Sequence, residues 1–320
     1  MKNIRTVGVV GAGTMGAALA QKFAQEGFEV ILADRAKNFV EKGLNNIRLT
    51  LEDGIAKNFF SKQQVETFLL HLKGTDSLDD LKACDLVIEA IFEDLNAKKD
   101  LFSSLGRIVS KECIIATNTS SFSVTELATS MVHPERFIGL HFFYHAAKNR
   151  LVEIIPGKKT SADTLQATRL FTVLAGKDAI DCTDTYGFAV NRFFVPWLNE
   201  SVKLLQEAVA TKAEIDAGCM KGFSSGMGPF ALMNATGVPI AYHSEKTLEV
   251  FGKLYEVAPL LKAQAEAAKP WEIESAAADT IETAKEKLIS DRMLGVVFYV
   301  CAQIHEEKVS SAIHQKKKEK

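Results

Sequence analysis

Residues 6–16, TVGVVGAGTMG, combine a strand pattern with a glycine-rich turn. The run 6–10 is short, mostly apolar and β-branched, which is typical of a strand buried on both faces. A helical pattern continues through Gln25, and residues 29–33 predict a second strand that ends at Asp34. GxGxxG spacing between a strand and a helix, with an acidic residue about 20 positions on, predicts a doubly wound sheet that binds a dinucleotide.

Each residue of this motif has a physical role in dinucleotide binding. Gly11 permits a tight turn, Gly13 lets the backbone approach a pyrophosphate, and Gly16 lets the helix pack closely on the sheet. Asp34 would accept hydrogen bonds from the adenosine ribose and repel a 2′-phosphate, which favours NAD over NADP. Arg35 beside it could instead bind a 2′-phosphate. Glycines that serve only the packing of the sheet are the alternative interpretation.

The composition is that of an ordinary globular protein of about two domains. Of 320 residues, 47% are hydrophobic and 24% charged, with a net charge of −2. Basic residues are not in excess, so the composition does not predict a nucleic-acid partner. No apolar stretch is long enough to predict a membrane span. The five cysteines lack CxxC spacing and predict neither disulfides nor a metal site, so we expect a cytoplasmic protein.

The sheet is predicted to continue beyond a long helical insertion. Residues 38–72 have helical periodicity and predict a hairpin of helices that stands off the sheet as an arm. Further strands are expected at 85–89, 114–116 and 179–183, with a helix over 161–174 before the last of them. The hydroxyl and amide side chains of 117–121 follow a strand, where they would hold a polar substrate or cap the helix that starts near Val124.

Two titratable residues lie inside apolar runs that predict buried strands. His141 follows the run 137–140, and Glu153 lies within 151–155. A buried glutamate needs a partner, because an isolated charge is costly to remove from water. A histidine on a neighbouring strand would supply one. Such a pair is either a proton-handling device or a structural ion pair.

After Tyr186 the pattern changes to helices alone. We predict a Rossmann-type NAD-binding domain over 1–186 and an all-α domain for substrate binding and dimerisation over 187–320. The predicted helices of the second domain cover 192–209, 240–257, 275–289 with Ser275 as N-cap, and 292–305, with a break at Pro270.

The second domain contains an internal similarity at an offset of 100 residues. The pairs Asn191/Asp291 and Arg192/Arg292 begin two segments, and the similarity continues through Leu204/Ile304, Glu207/Glu307 and Val209/Val309. This pattern predicts that one helical unit was duplicated.

Several motifs occur together in one order: GAGTMG, the strand-end Asp34, EAIFE with Glu93 and Lys98, TNTSS, HFF followed by LVEI, GFAVNR and MGPF. In these motifs the chain resembles the 3-hydroxyacyl-CoA dehydrogenase family. The resemblance implies the catalytic residues His141, Glu153, Ser120 and Asn191. It implies NAD-binding residues as follows: Gly11, Gly13, Met15, Gly16, Asp34, Glu93, Lys98, Asn118 and Ser120.

The resemblance also implies a reaction. NAD⁺ would take a hydride from the carbon bearing the 3-hydroxyl of an (S)-3-hydroxyacyl-CoA, while His141 removes the hydroxyl proton and Glu153 orients the imidazole. Ser120 and Asn191 would hold the developing carbonyl oxygen or the imidazole. A homodimer is expected. Alternatives are a dehydrogenase of a free 3-hydroxy acid such as gulonate or carnitine, and a non-catalytic NAD-binding or structural protein.

Four departures from the family pattern accompany the resemblance. Tyr144-His145 replaces the usual Asn-Pro after HFF, which predicts that substrate identity is determined there. Tyr186 replaces a proline before GF, and residues 232–237 lack the acidic residue that usually follows MGPF. The KTGKGFY-type ending is absent, and the duplicated helix stands in its place.

Overall fold

A computed structural model of the chain describes residues 4–274 and 282–310. The described chain divides into two compact units, the first ending at Asp184 and the second beginning at Thr185. The predicted boundary lies two residues further on, at Tyr186.

The first unit is built on one mixed sheet. Its strands are β1 (Thr6–Val10), β2 (Glu29–Ala33), β3 (Leu72–Thr75), β4 (Leu86–Glu89), β5 (Ile114–Thr117), β6 (Phe137–Phe142), β7 (Leu151–Pro156) and β8 (Asp178–Asp181). They lie in the order β3-β2-β1-β4-β5-β6-β7-β8. Neighbouring strands are parallel except for the antiparallel pair β6–β7. Every residue of β4, β5 and β6 is buried, which accounts for their apolar composition.

Helices cover the sheet of the first unit. They are α1 (Thr14–Gln25), α2 (Lys37–Ala56), α3 (Lys62–Leu70), α4 (Leu95–Ile108), α5 (Val124–Leu127) and α6 (Ala162–Leu174). Side chains cap several of them: the Ser61 hydroxyl accepts from the Gln64 N–H at α3, and the Asp94 carboxylate accepts from the Ala97 N–H at α4. Such caps satisfy backbone N–H groups that the helix itself leaves unpaired.

The predicted helical hairpin is formed by α2 and α3. Phe60 in the connection contacts Phe68 of α3 edge to face, with ring centroids 5.6 Å apart. Ile47, Leu51 and Val65 are buried in the same cluster as residues of α1 and the strands. The hairpin is therefore anchored on the core of the sheet over much of its length.

The prediction of helix up to Leu72 was wrong at its last residue, which begins β3. The strand has only four residues, Leu-Lys-Gly-Thr, and all are partly or fully exposed because β3 forms the edge of the sheet beside β2. A short edge strand carries no apolar run, so its sequence does not distinguish it from a helix end or a loop.

The second unit is helical in its described part. Its helices are α7 (Val190–Gln206), α8 (Lys212–Phe223), α9 (Pro229–Thr236), α10 (Val238–Leu248), α11 (Pro259–Glu266) and α12 (Thr283–Glu306). They enclose a buried core that includes Val202, Ile215, Phe230 and Met293. The break expected at Pro270 is present, since α11 ends before it.

The prediction that a separate helix begins near Arg292 was wrong. The segment is the interior of α12, which is continuous from Thr283 to Glu306. Ser290-Asp291 resembles a helix start, but Asp291 is exposed and pairs with Lys287 one turn earlier at 2.5 Å. The predicted N-cap Ser275 lies outside the described residues.

The predicted helix over 240–257 was also wrong in its second half, because α10 ends at Leu248 and two short 3-10 turns follow.

Among the described helices, none combines the length and apolar character that crossing a bilayer requires. The described residues also contain no group of three or more His, Cys, Asp or Glu side chains placed to hold a metal ion.

Candidate active site

The glycines of the first turn are required for two different structural reasons. Gly11 has φ +107°, and a Cβ there would lie 2.5 Å from the Ala90 carbonyl oxygen. A Cβ on Gly16 would lie 1.7 Å from the oxygen of Gly11, so both positions exclude any side chain. At Gly13 a Cβ would meet no described atom within 4 Å. Packing within the protein therefore does not explain Gly13, whereas close approach of a ligand does.

The start of α1 lies next to this open position. Gly13 is its N-cap, no side chain caps the helix, and its first turn contains no acidic residue. Met15, in that first turn, is half-buried against the core. Uncapped N–H groups and the positive end of the helix dipole together favour an anion such as a pyrophosphate.

Asp34 is held at the end of β2 by the glycine-rich turn. Its Oδ2 accepts from the Ala12 N–H at 2.7 Å, and its Oδ1 accepts from the Arg35 N–H at 2.7 Å. Each carboxylate oxygen can accept more than one hydrogen bond, so capacity remains for ribose hydroxyls. The Arg35 guanidinium lies 5.2 Å from the centroid of the Phe39 ring.

A cleft of about 360 Å³ joins these features. It is lined by Val10, Gly11, Gly13, Asp34, Arg35, Phe39, Asp76, Leu78, Ala90, Ile91, Phe92 and Leu101. The lining combines apolar side chains with the carboxylates of Asp34 and Asp76, which suits a flat heterocycle attached to a ribose. The residues present therefore fit the adenosine and pyrophosphate parts of NAD.

A buried ionic network follows at the carboxyl end of β4. The Lys98 ammonium lies 2.5 Å from Glu89 Oε1 and 3.1 Å from Glu93 Oε2. The Thr117 hydroxyl donates to Glu89 Oε2 at 2.7 Å. Burial raises the pKa of Glu89, while the nearby Lys98 opposes that rise. The network ties β4 and α4 to the end of β5, beside the glycine-rich turn.

Glu89 belongs to this network but is not among the residues predicted from the sequence. Glu93 and Lys98 were predicted from the EAIFE motif, but Glu89 is the residue that holds the Lys98 ammonium in the protein interior. A glutamate that ends the apolar run Leu86-Val87-Ile88 is a signal of the same kind as Glu153. It would have been found by the same burial argument.

The polar cluster after β5 is held by the side chain of Glu93, in the loop between β4 and α4, and by a backbone N–H of β6. Glu93 accepts hydrogen bonds from the Thr119 hydroxyl and, at 3.2 Å, from the Ser120 N–H. Asn118 Oδ1 accepts from the Phe142 N–H at 2.8 Å, which connects this cluster to β6. The cap of α5 is Ser123. Residues 117–121 therefore do not cap α5, and their position at the strand ends suits ligand binding.

His141 and Glu153 lie directly opposite each other on β6 and β7. Nδ1 of His141 is 2.6 Å from Oε2 of Glu153, and the two side chains are 7% and 0% exposed. A carboxylate oxygen only accepts, so Nδ1 carries a proton and donates it to Glu153. The Cys182 thiol donates to the other carboxylate oxygen of Glu153 at 3.5 Å. The predicted pair is therefore present, with the imidazole tautomer set by the glutamate.

Two of the residues that depart from the family pattern, Tyr144 and His145, lie in the loop after β6. Tyr144 is 66% exposed. His145 Nδ1 accepts from the Ala147 N–H at 3.3 Å, within its own loop. Burial, and then the charge of Lys148, lowers the pKa of His145. The His145 ring thus hydrogen-bonds within its own loop, whereas the His141 ring pairs with Glu153.

Asn191 belongs to the second unit, where it is half-buried in the first turn of α7. Its predicted action together with His141 therefore stays a prediction. The other predicted site residues all lie in the first unit.

Two family models match the chain. Residues 6–185 match "3-hydroxyacyl-CoA dehydrogenase, NAD binding domain", and residues 187–270 match "3-hydroxyacyl-CoA dehydrogenase, C-terminal domain". The chain belongs to the 3-hydroxyacyl-CoA dehydrogenase family. NAD is its cofactor, bound by the first unit, and its activity is the NAD-dependent oxidation of 3-hydroxyacyl-CoA.

Individual members of the 3-hydroxyacyl-CoA dehydrogenase family are similar over most of both chains. A 3-hydroxybutyryl-CoA dehydrogenase of Clostridioides difficile is 38% identical over 232 residues, 72% of this chain and 83% of that protein. One from Bradyrhizobium diazoefficiens is 34% identical over 266 residues, 82% and 91% of the two chains. The crystal structure of an (S)-3-hydroxybutyryl-CoA dehydrogenase from Ralstonia eutropha superimposes with a TM-score of 0.79, at 37% identity, over 83% of this chain and 94% of that one.

Proposed function

We propose that this dehydrogenase oxidises (S)-3-hydroxyacyl-CoA with His141 as the general base and Glu153 as its orienting partner. The buried pair at 2.6 Å on adjacent strands is the observation that carries the proposal. A structural ion pair would be the alternative. Three features favour catalysis: the pair lies near the strand ends where ligands bind in such sheets, it connects through Phe142 and Asn118 to the cofactor side, and its tautomer is fixed.

The residues that would hold NAD follow from the site. Gly11, Gly13 and the start of α1 would hold the pyrophosphate, and Asp34 the adenosine ribose. Asn118, Ser120 and the network of Glu93 with Lys98 would position the nicotinamide end. When bound, NAD supplies the acceptor for the hydride that leaves the substrate carbon.

His141 would handle the proton that accompanies this hydride. Since Nδ1–H donates to Glu153, Nε2 is the ring nitrogen that takes the proton of the 3-hydroxyl. Glu153 then stabilises the imidazolium that forms, as the carboxylate does in other His–carboxylate pairs. Ser120 and Asn191 would donate to the developing carbonyl oxygen or hold the imidazole.

The substrate is proposed to be a short acyl chain carried on CoA. The relatives described above are named for 3-hydroxybutyryl-CoA, which supports this size. Tyr144, exposed beside β6, is the position where we expect the acyl group to be discriminated. The scattered cysteines support the predicted cytoplasmic location.

NADH oxidation with acetoacetyl-CoA, compared with free 3-keto acids at equal concentration, tests the substrate class. We expect turnover with the CoA ester and little with the free acids. Turnover of free acids alone would favour the gulonate- or carnitine-type alternative. NADH binding without turnover of either substrate would favour the non-catalytic alternative.

A further inference from the structure

Helices α7 and α12 end in the same way, 100 residues apart. Their C-caps are Glu207 and Glu307, and the following residues, Ala208 and Lys308, have φ of 54° and 55°. The Val209 N–H donates to the Leu204 oxygen at 3.1 Å, and the Val309 N–H donates to the Ile304 oxygen at 3.0 Å. At both helix ends, the residue after the C-cap has the left-handed backbone conformation, and an equivalent backbone hydrogen bond closes the last turn. The sequence similarity therefore corresponds to a structural repeat.

The two helices are joined by reciprocal ion pairs. The Arg192 guanidinium makes two hydrogen bonds to the Glu307 carboxylate, both 2.7 Å long. The equivalent residue Arg292 donates to the Glu207 carboxylate, with its shorter bond at 2.9 Å. Position 192 thus contacts position 307, and position 292 contacts position 207. Each arginine near the start of one repeat binds the glutamate that ends the other.

This reciprocity is the signature of a two-fold interface. When two identical surfaces pair around a two-fold axis, residue i of one contacts residue j of the other, and j contacts i. Here both surfaces belong to the same chain. One further contact breaks the symmetry, since Arg292 also donates to Glu200 at 2.9 Å, while the equivalent of Glu200 is Val300.

We propose that α12 packs against α7 at the position where the α7 helix of a second copy of this chain would otherwise pack. The two-fold interface is then formed inside one chain, and the protein is a monomer. Arg192 is fully buried under this contact, with its guanidinium 3.4 Å from the centroid of Phe251, so the covered face of α7 is not available to another chain. This proposal replaces the homodimer that the family resemblance predicts.

Charge exchange across one of the two ion pairs tests the proposal in the full chain. All variants carry Glu200→Gln, because Glu200 would otherwise repel a glutamate at position 292. Glu207→Arg and Arg292→Glu are compared singly and together by sedimentation velocity over a wide concentration range. Lys287→Glu is the matched control, since Lys287 lies on α12 and pairs with Asp291 of the same helix.

The native chain and the control are expected to sediment at the monomer mass of 35.1 kDa. Each single variant places like charges opposite each other, and is expected to weaken the packing of α12 on α7 and to self-associate more readily than the native chain through the exposed face of α7. The double variant is expected to recover monomers, with a monomer–dimer dissociation constant raised about tenfold or more over the singles. A native dimer, or a double variant no more monomeric than the singles, would overturn the proposal.

A mixture of the two single variants distinguishes contacts within a chain from contacts between chains. If the ion pairs form within one chain, the mixture sediments as the sum of its components. Stable association that appears only in the mixture would mean that α12 of one chain lies on α7 of another, and the proposal would be wrong. Thermal unfolding of the same variants supplies a double-mutant cycle for stability. The double variant should recover the melting temperature that each single variant loses.

Discussion

Glu153 is fully buried, and its Oε2 lies 2.6 Å from the His141 imidazole, so its effect on the reaction passes through that ring. The carboxylate selects the tautomer with the proton on Nδ1. In the proposed mechanism it would also lower the free energy of the imidazolium that forms when the substrate proton is taken. The proposal therefore makes the glutamate a positioning group and the histidine the base.

Glu153→Gln is expected to lower kcat about 10²- to 10⁴-fold with little change in KM for the acyl-CoA. The amide keeps the size of the side chain, but it can present an N–H to Nδ1 and so favour the wrong tautomer. Steady-state kinetics of NADH oxidation measure the effect. The matched control is Glu135→Gln, an exposed carboxylate of the same unit. An unchanged kcat would show that Glu153 is only a structural partner.

Asp34→Ala is expected to lower kcat/KM for NAD about 10- to 100-fold, since hydrogen bonds to charged groups contribute about 1.5–3 kcal/mol. Turnover with NADP should fall less or rise, because the repulsion of a 2′-phosphate is removed. The ratio of the two kcat/KM values is the measurement. Arg35→Ala serves as the comparison and should leave the NAD value nearly unchanged. Equal losses with both cofactors would contradict the role given to Asp34.

At the scale of elements, one buried lysine holds the loop between β6 and β7. The Lys177 ammonium donates to the carbonyl oxygens of Ala146 and Asn149 at 2.5 and 2.7 Å. Burial, followed by the charges of Lys22 and Arg150, lowers the pKa of Lys177 to about 8. The loop carries Tyr144, so its conformation should affect substrate binding rather than the chemical step.

Lys177→Met is expected to raise KM for the acyl-CoA several-fold at pH 7 with little change in kcat. In the native enzyme the ammonium is present below pH 8 and lost above it, so KM should rise as the pH passes through about 8. Lys177→Arg, which keeps its charge, should flatten that rise. Kinetics between pH 6 and pH 9 test this. If KM responds to none of these changes, Lys177 does not affect substrate binding.

The sequence predicted the elements that apolar runs mark, and missed those that depend on tertiary contacts. The strands of residues 6–10 and 29–33 were found at their observed bounds, because buried parallel strands are continuous apolar runs. The edge strand β3 has no such run. The glycine positions were predicted from their motif, and the structure adds that Gly11 and Gly16 are required by packing while Gly13 is not.

In the second unit the sequence pattern does not predict α8, α9 and α11 as separate helices, and it divides α12 into two helices. The described helices there are mostly short, and their packing against α7 and α12 stabilises them more than their own patterns do. The 100-residue repeat was visible in the sequence. Its structural meaning was not visible in the sequence. The ion pairs join residues separated by 115 and by 85 positions along the chain, and such contacts exist only in the folded protein.

At the scale of the whole molecule, the helical unit contains a buried carboxyl group that makes its stability depend on pH. Glu245 is fully buried, Oε1 accepts from Asn199, and Oε2 has no hydrogen-bond partner among the described residues. Burial raises the pKa of Glu245 well above its usual value of 4.5. The folded form therefore keeps the proton more tightly than the unfolded form does.

Because the folded pKa is the higher one, the stabilisation from the protonated Glu245 is complete below pH 4.5 and is lost as the pH rises through the folded value. Glu245→Gln remains neutral and should remove this loss. We expect the variant to gain melting temperature relative to the native chain as the pH increases from 5 to 8, measured by calorimetry. A difference that stays constant with pH would show that Glu245 is already ionised at pH 5.

The proposed proton transfer by His141 is tested most directly by His141→Gln, assayed for both turnover of acetoacetyl-CoA and NADH binding. The side chain of glutamine can still hydrogen-bond to Glu153 but cannot take a proton from the substrate. We predict that kcat falls about 10²- to 10⁴-fold while the Kd for NADH, measured by fluorescence, stays nearly unchanged. Turnover within a few fold of the native enzyme would contradict the assignment of His141 as the base.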